Sequence, residues 1–168
     1  MGYTTLCLDE STNKIVPNIK RGWYLTGEHI TTPINYTREK FHSFGALGDD
    51  CMFCCRFYEN ANTDTFLDFL ENLQKQYGKK LLLFVDNVSY HKSNRVKEFI
   101  KKSKRKIIIR YFPAYTPELN PIEIQWREEK KGTANTFFAN SSEMQSHMQK
   151  RLDNGDVKVV KVFKYLVP

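Results

Sequence analysis

The sequence predicts a single α/β domain with a mixed sheet, and three observations carry that prediction. Lys80-Leu81-Leu82-Leu83-Phe84-Val85 is apolar throughout after its first residue, as a central parallel strand covered on both faces must be. His42–Leu47 and Cys51–Tyr58 stand on either side of Gly48-Asp49-Asp50, the layout of an antiparallel hairpin. From Thr63 the apolar period changes from two to 3.6, so a helix joins the hairpin to the central strand. Composition agrees. Of 168 residues 40% are hydrophobic and 27% charged, which excludes a disordered chain, and at this length roughly two thirds of the unfolded surface can be buried without disulfides or structural metal. No apolar run approaches the roughly 18 residues of a membrane helix. Met1–Thr5 lacks the charged and apolar regions of a signal peptide, so the expected compartment is the cytoplasm.

Thr4–Leu8 is a short apolar run, read as a buried strand that stops at Asp9-Glu10. Residues 11–40 are mixed and polar, with turn signals at Pro17, Gly22, Gly27 and Pro33; irregular structure or one short strand around Trp23 is expected there. After the hairpin, Phe66, Leu67, Leu70 and Leu73 share one helical face and Gly78 ends that helix. The central strand ends at Asp86-Asn87. A second helix is expected from Ser93 to Lys102 with Val96, Phe99 and Ile100 inside, then a strand from Lys106 to Phe112. Pro113, Pro117 and Pro121 hold the following segment extended, since each disfavours helix in the residue before it. Pro121 suits the first position of a third helix, capped by Asn120 and running to about Lys131. Ser141–Leu152 is a fourth helix, capped by Ser141 or Ser142, and Val157–Val167 is a final strand or extended tail. This order makes one domain over residues 1–168, without internal repeat or linker.

The net charge of +7 is unevenly spread. Residues 1–91 carry 9 Lys/Arg against 11 Asp/Glu, a balance of −2, and residues 92–168 carry 17 against 8, a balance of +9. A one-sided positive field suits a polyanion, because each neutralised phosphate releases counterions; a Lys-rich solvated face gives the same count. Lys101, Lys102, Lys104, Arg105 and Lys106 form the densest run, readable as phosphate contacts or as a solvated loop. The four cysteines, Cys7, Cys51, Cys54 and Cys55, lack the spread of a disulfide framework. Positions 51 and 54 would face opposite sides of a strand and cannot chelate zinc together, so these cysteines read as small core residues.

Three carboxylates are the candidates for chemistry. Asp9 closes the first strand, Asp86 closes the central strand, and Glu123 lies in the first turn of the third helix. Neighbouring strands run about 4.8 Å apart, and ligands of open α/β sheets gather at the carboxyl ends of the strands. Oxygen donors of this kind suit Mg²⁺, with Mn²⁺ as a substitute. Two such ions, about 3.5–4 Å apart, activate water and stabilise the leaving oxygen of a phosphodiester. Each residue also has a plainer reading: Asp9 and Asp86 as turn residues after strands, and Glu123 as the capping-box partner of Asn120.

The surrounding words shift the balance. Val85-Asp86-Asn87-Val88-Ser89-Tyr90-His91-Lys92-Ser93 and Tyr111-Phe112-Pro113-Ala114-Tyr115-Thr116-Pro117-Glu118-Leu119-Asn120-Pro121-Ile122-Glu123-Ile124-Gln125-Trp126 together resemble the catalytic core of DDE transposases of the mariner-like superfamily, in its bacterial and archaeal insertion-sequence branch. In that family the first word reads Asp-Asn-Ala-x-x-His, and the second reads Pro-Pro-Tyr-Ser-Pro-x-Leu-Asn-Pro-Ile-Glu with a Trp three positions on. Leu8-Asp9-Glu10-Ser11 and Arg21-Gly22-Trp23 are similar to the family's opening, so the resemblance covers about residues 4–131. It implies a ribonuclease-H-like fold, a mixed five-stranded sheet flanked by helices, and metal-dependent phosphoryl transfer on DNA by the triad Asp9, Asp86 and Glu123. Val88, Ala114 and Thr116 depart from the pattern, as does Glu129 at a normally apolar position; none is a metal ligand. Full-length relatives begin with helix-turn-helix domains and nothing precedes residue 4 here, so the expectation is a catalytic core alone.

The expected function is therefore hydrolysis of a phosphodiester at the end of a mobile element and strand transfer into target DNA, in a prokaryotic, nucleoid-associated setting, with a homodimer left open. Two other readings stand beside it: a domesticated or truncated nuclease remnant, and a metal-independent DNA-binding module. Asn87 and His91 are further candidate substrate contacts, although a histidine at a helix entry equally suits a bond to backbone. Trp126, four residues beyond Ile122, reads as core packing.

Overall fold

Five strands form one mixed sheet. In the computed structural model, which describes residues 2–16, 19–28, 31, 33–104, 106–113 and 116–161, they are β1 (Thr4–Lys14), β2 (Lys40–Gly48), β3 (Phe53–Tyr58), β4 (Leu81–Val85) and β5 (Ile107–Tyr111), in the spatial order β3-β2-β1-β4-β5. The first three are antiparallel neighbours, while β4 and β5 run parallel to β1. Parallel pairing requires crossovers, and α1 (Thr63–Tyr77) and α2 (Asn94–Lys102) supply them; α3 (Ile122–Lys130) and α4 (Ser141–Asp153) follow β5.

The alternation of side chains along the strands divides the core into two layers. On one face Leu6, Leu8, Leu81, Leu83, Val85 and Ile107 meet Phe66, Phe69, Leu70 and Leu73 of α1 and Val96 of α2, all buried. Each such Leu or Phe contributes roughly 1.5–3 kcal/mol by leaving water. On the other face Leu47 packs against Ile122 and Trp126 of α3, and Ile15 and Phe41 pack against Met144 and Met148 of α4. Local chemistry starts and stops the helices. Asn62 accepts from the N–H groups of Asp64 and Thr65 while Thr65 Oγ1 accepts from Asn62 N–H, and Gly78, at φ 57°, ends α1 in the left-handed conformation that glycine adopts without strain.

Several boundaries differ from those expected. β1 does not stop at Asp9-Glu10 but continues to Lys14, because β2 pairs with it residue by residue down to Lys14 opposite Lys40. Around Trp23, whose side chain is fully exposed, the described residues are irregular, the first of the two readings expected there. The cap of α4 is Asn140, which accepts from Glu143 N–H at 2.9 Å, rather than Ser141 or Ser142. Of the two readings of the last segment, residues 157–161 follow the tail rather than the strand: Gln125 Nε2 donates to Lys158 O (3.2 Å) and Gln125 Oε1 accepts from Val160 N–H (2.8 Å), so the tail lies against α3. The rest of that segment, 162–167, lies outside the described residues. No helix among the described residues is long and apolar enough to cross a membrane.

Glu129 occupies a core position of α3. It is 1% exposed, and neither carboxyl oxygen has a hydrogen-bond partner among the described residues. Burial pushes this carboxyl up to about 7, against the opposing pull of Lys130, Arg151 and the nearby Ser43 hydroxyl. A carboxyl whose value rises on folding stabilises the fold least above that raised value, so stability falls as pH climbs from its ordinary 4.5 through about 7. Glu129→Met, which removes the charge and the unpaired oxygens, is expected to raise Tm, with a gain on the order of 3 kcal/mol at pH 8.5 and a clearly smaller one at pH 5. Thermal melts at the two pH values check this; equal gains would show that Glu129 titrates in the folded core as it does in the unfolded chain.

Candidate active site

The register of β1 on β4 brings two carboxylates level. Cys7 pairs with Phe84, the last pair of the ladder, and two residues further along the chain from each stand Asp9, still in β1, and Asp86, just beyond β4. Across the other ladder, Asp9 lies opposite Gly45 of β2. Because successive side chains alternate, Asp9 turns toward the α3 face and Glu10 toward the face covered by α1 and α2.

The start of α3 is fastened to the strand that carries Asp9. Asn120, buried, donates from Nδ2 to Leu8 O at 3.2 Å and accepts from Ile122 N–H at 3.4 Å, so it anchors the start of the helix; the N-cap is Pro121, one residue later than expected, and no side chain caps it. Trp126 Nε1 donates to Asp9 Oδ2 at 2.9 Å. Glu123 is exposed, and its carboxylate has no hydrogen bond or ion pair among the described residues; only its backbone N–H bonds to Asn120 O, at 3.2 Å. The capping-box arrangement is therefore not formed. Burial pushes the Asp9 carboxyl up to about 7, the charges of Glu10 and Glu123 add to that rise, and the indole N–H opposes it. The Glu123 carboxylate is thus near enough on the α3 side for its charge to act on Asp9, with no protein cation paired to either among the described residues.

Asp86 is held differently. His91, 1% exposed, has Nδ1 at 2.9 Å from Asp86 Oδ1 and Nε2 at 2.9 Å from Glu10 Oε1, and its ring lies 4.1 Å from that of Phe66. Burial disfavours the imidazolium, but the hydrogen bonds and charges of Asp86 and Glu10 outweigh it and raise His91 to about 9. His91 is accordingly a cation near neutral pH, donating at both nitrogens. Burial also works against the Asp86 carboxylate, yet its bonds to His91 and to Val88 N–H leave it below its ordinary value. The ligand atoms of Glu10, Asp86 and His91 lie within 4.8 Å of one another, but there the imidazolium itself supplies the positive charge.

The other expected contacts fall into two groups. His91 is not available to substrate, since both ring nitrogens are engaged and the ring is buried; the reading of it as a substrate contact is corrected. Asn87 donates to Phe112 O and accepts from Lys92 Nζ at 2.6 Å, tying the ends of β4 and β5 together. Lys101, Lys102, Lys104 and Lys106 are exposed but stand at the far end of β5: Lys106 O accepts from Leu81 N–H, whereas Phe112 N–H donates to Val85 O beside Asp86. About 16 Å of strand separates that run from the carboxylates. Arg105 lies outside the described residues. Sequence reasoning missed Glu10, Lys92 and the polar role of Trp126. Strand alternation places Glu10 opposite to Asp9; for Lys92, whose Nζ lies 5.0 Å from the centre of the Tyr111 ring at the rim of the site, only the fold supplies the signal.

A family model described as DDE superfamily endonuclease matches residues 4–145. Among curated proteins, the chain is similar to the "Insertion element IS630 uncharacterized 39 kDa protein" of Shigella sonnei, 28% identical over 122 residues, which is 71% of this chain and 35% of that protein. Among solved structures, the mariner Mos1 paired-end complex with Mg superposes with a TM-score of 0.70 at 15% identity, over 98% of this chain and 52% of the other. The catalytic domain of Mos1 mariner transposase gives 0.59 at 14%, over 95% and 72%. The magnesium-bound catalytic core of HTLV-2 integrase gives 0.54 at 11%, over 88% and 83%. At these identities the likeness is one of fold, and the fold is ribonuclease-H-like, as expected from the sequence. The chain spans about a third of the length of the curated relative and about half that of the Mos1 chain.

The buried His91 bridge generates a test. His91→Leu leaves the Glu10 and Asp86 carboxylates without their cation, and is expected to destabilise the fold by about 3 kcal/mol, the low end for a broken buried pair because Asp86 keeps part of its solvent contact. Adding Glu10→Met is expected to restore part of that loss. Urea unfolding of the single and double variants measures the coupling, and strictly additive costs would show that the bridge is not a unit.

Proposed function

The chain belongs to the DDE superfamily endonuclease family, and from that premise we propose that residues 1–168 form the metal-dependent catalytic domain of a DNA transposase, cutting a phosphodiester and transferring the freed strand. The observation that carries the proposal is the unpaired Glu123 carboxylate set against the half-enclosed Asp9, on the same end of the sheet as Asp86. Such an arrangement repels itself unless a cation joins it, and all its donors are hard carboxylate oxygens, which fit Mg²⁺ or Mn²⁺. Mos1 paired-end complexes contain Mg in one case and Mn in another, which supports the same ions here. A pair of bound ions would supply an activated water and stabilisation of the leaving oxygen.

The chain's own residues do the rest. Asp9, Asp86 and Glu123 would hold the ions. His91 keeps Asp86 ionised and fixed, so that one of the three donors is charged whether or not an ion is present. Lys92, half free at the rim, draws the phosphodiester toward the carboxylates, and the distant lysines 101, 102, 104 and 106 grip DNA away from the reacting bond. DNA as substrate is supported by the Mos1 strand transfer and transposon-end complexes, and a homodimer by the dimeric form of the integrase core.

Metal-dependent nicking of supercoiled plasmid by the purified chain tests the central claim. Nicking should require Mg²⁺ or Mn²⁺, stop with chelator, and fall at least about 100-fold in Asp86→Asn. Glu123→Gln should fall as far while its Tm stays within a degree or two, since no capping bond depends on the charge. Full nicking by Glu123→Gln would return that residue to a structural role, and nicking without strand transfer would indicate a nuclease remnant. DNA binding offers a second check. Affinity should drop steeply as salt rises and be similar for different duplexes, and changing Lys101, Lys102, Lys104 and Lys106 to Gln should flatten the salt slope. An unchanged slope would make that run a solvated surface only.

A further inference from the structure

We propose that Trp126 is a positioning residue for Asp9, seated in a gap that Gly45 leaves in β2; the inference rests on the metal reading of the triad. Asp9 and Gly45 are cross-strand partners and project to the same face of the sheet. With no side chain at position 45, the indole lies directly on the strand. A Cβ there would come within 2.4 Å of Trp126 Cη2, 2.7 Å of Cζ2 and 3.0 Å of Ile122 Cδ1. Contacts below 3 Å with a rigid buried ring force it to move, so glycine at 45 is a requirement of the indole's position.

The ring is fixed from its other sides as well. Trp126 is 3% exposed, packs with Leu47 and Ile122, and stands edge-on to Phe53 at 5.7 Å. From this seat Nε1 reaches Asp9 Oδ2 at 2.9 Å. Carboxylates turn easily about their last bond, and this one is held by a donor that carries no charge and accepts nothing. The indole therefore fixes the carboxylate without competing for a cation; the Glu10 backbone N–H is a second neutral donor, and the lone pairs beyond these two are left open. Trp126 is three residues beyond Glu123, on the same side of α3. One helix thus delivers the third carboxylate and the group that orients the first. The plainer alternative is that Asp9 merely satisfies a buried indole N–H.

The two differ in what metal affinity does when the N–H is removed. Mn²⁺ binding to the full chain is measured from the EPR signal of the free ion for wild type, Trp126→Phe, Gly45→Ala and a chain carrying benzothienylalanine at position 126, which keeps the ring shape and lacks the donor. The proposal expects Kd for Mn²⁺ to rise about 10- to 100-fold in each, the Tm of the metal-free benzothienylalanine chain to stay near wild type, and nicking to recover as Mn²⁺ saturates, so that the metal requirement changes more than kcat. Wild-type Mn²⁺ affinity in the benzothienylalanine chain would overturn the positioning role and leave the metal reading intact. Absence of Mn²⁺ binding by wild type, or its persistence in Asp9→Asn, would overturn the metal reading and this inference with it.

Discussion

The parallel register between β1 and β4 ties the chemistry of this molecule to its core. The pairing that buries Leu6 and Leu8 in the same layer as Leu81, Leu83 and Val85 is the pairing that sets Asp9, midway along β1, near Asp86, just past the end of β4. A slip of β1 by one residue would move every side chain to the opposite face. Glu10 would then point toward Trp126 and Asp9 toward His91, while Leu6 and Leu8 would leave the layer filled by α1. The site is thus protected by the same burial that stabilises the domain, without needing separate reinforcement of its own.

Charge is handled in opposite ways on the two faces of that register. Beneath α1 and α2, a buried imidazolium lies between Glu10 and Asp86 and completes the pairing with protein groups alone. On the α3 side the like charges of Asp9 and Glu123 meet a neutral donor, Trp126, and no cation among the described residues. The first arrangement fixes Asp86 while leaving part of its carboxylate exposed. The second is open: Glu123 is exposed and its carboxylate has no partner among the described residues.

Helix α3 carries much of this burden in nine residues. Ile122 and Trp126 pack it to the sheet, Asn120 just before it ties it to Leu8, Glu123 faces the site, and Gln125 holds the tail that follows α4. Glu129 is the exception, since it places an unpartnered carboxyl in the packed face. Its contribution to stability is negative at neutral and higher pH, and the helix tolerates it because the surrounding contacts over-determine its position.

The parts of this picture that depend on neighbours along the chain were readable from composition and pattern: the apolar run of β4, the 3.6 period of α1, the hairpin of β2 and β3, and the prolines and asparagine that start α3. The resemblance carried by Asp86-Asn87 and Asn120-Pro121-Ile122-Glu123 added the triad and the fold. Extension of β1 through Asp9 and Glu10 was not readable, because two adjacent carboxylates look like a strand end until each has a partner on its own face. Those partners come from remote segments: His91 is 81 residues from Glu10, Asn120 is 112 from Leu8, and Trp126 is 117 from Asp9. Periodicity reports which face a residue takes, but the identity of what lies across that face follows only when the strands have chosen their neighbours. The burial of His91 as a bridge, the pairing of Trp126 with Asp9 and the requirement for glycine at 45 are contacts of that kind, fixed by packing between segments that have no local relation.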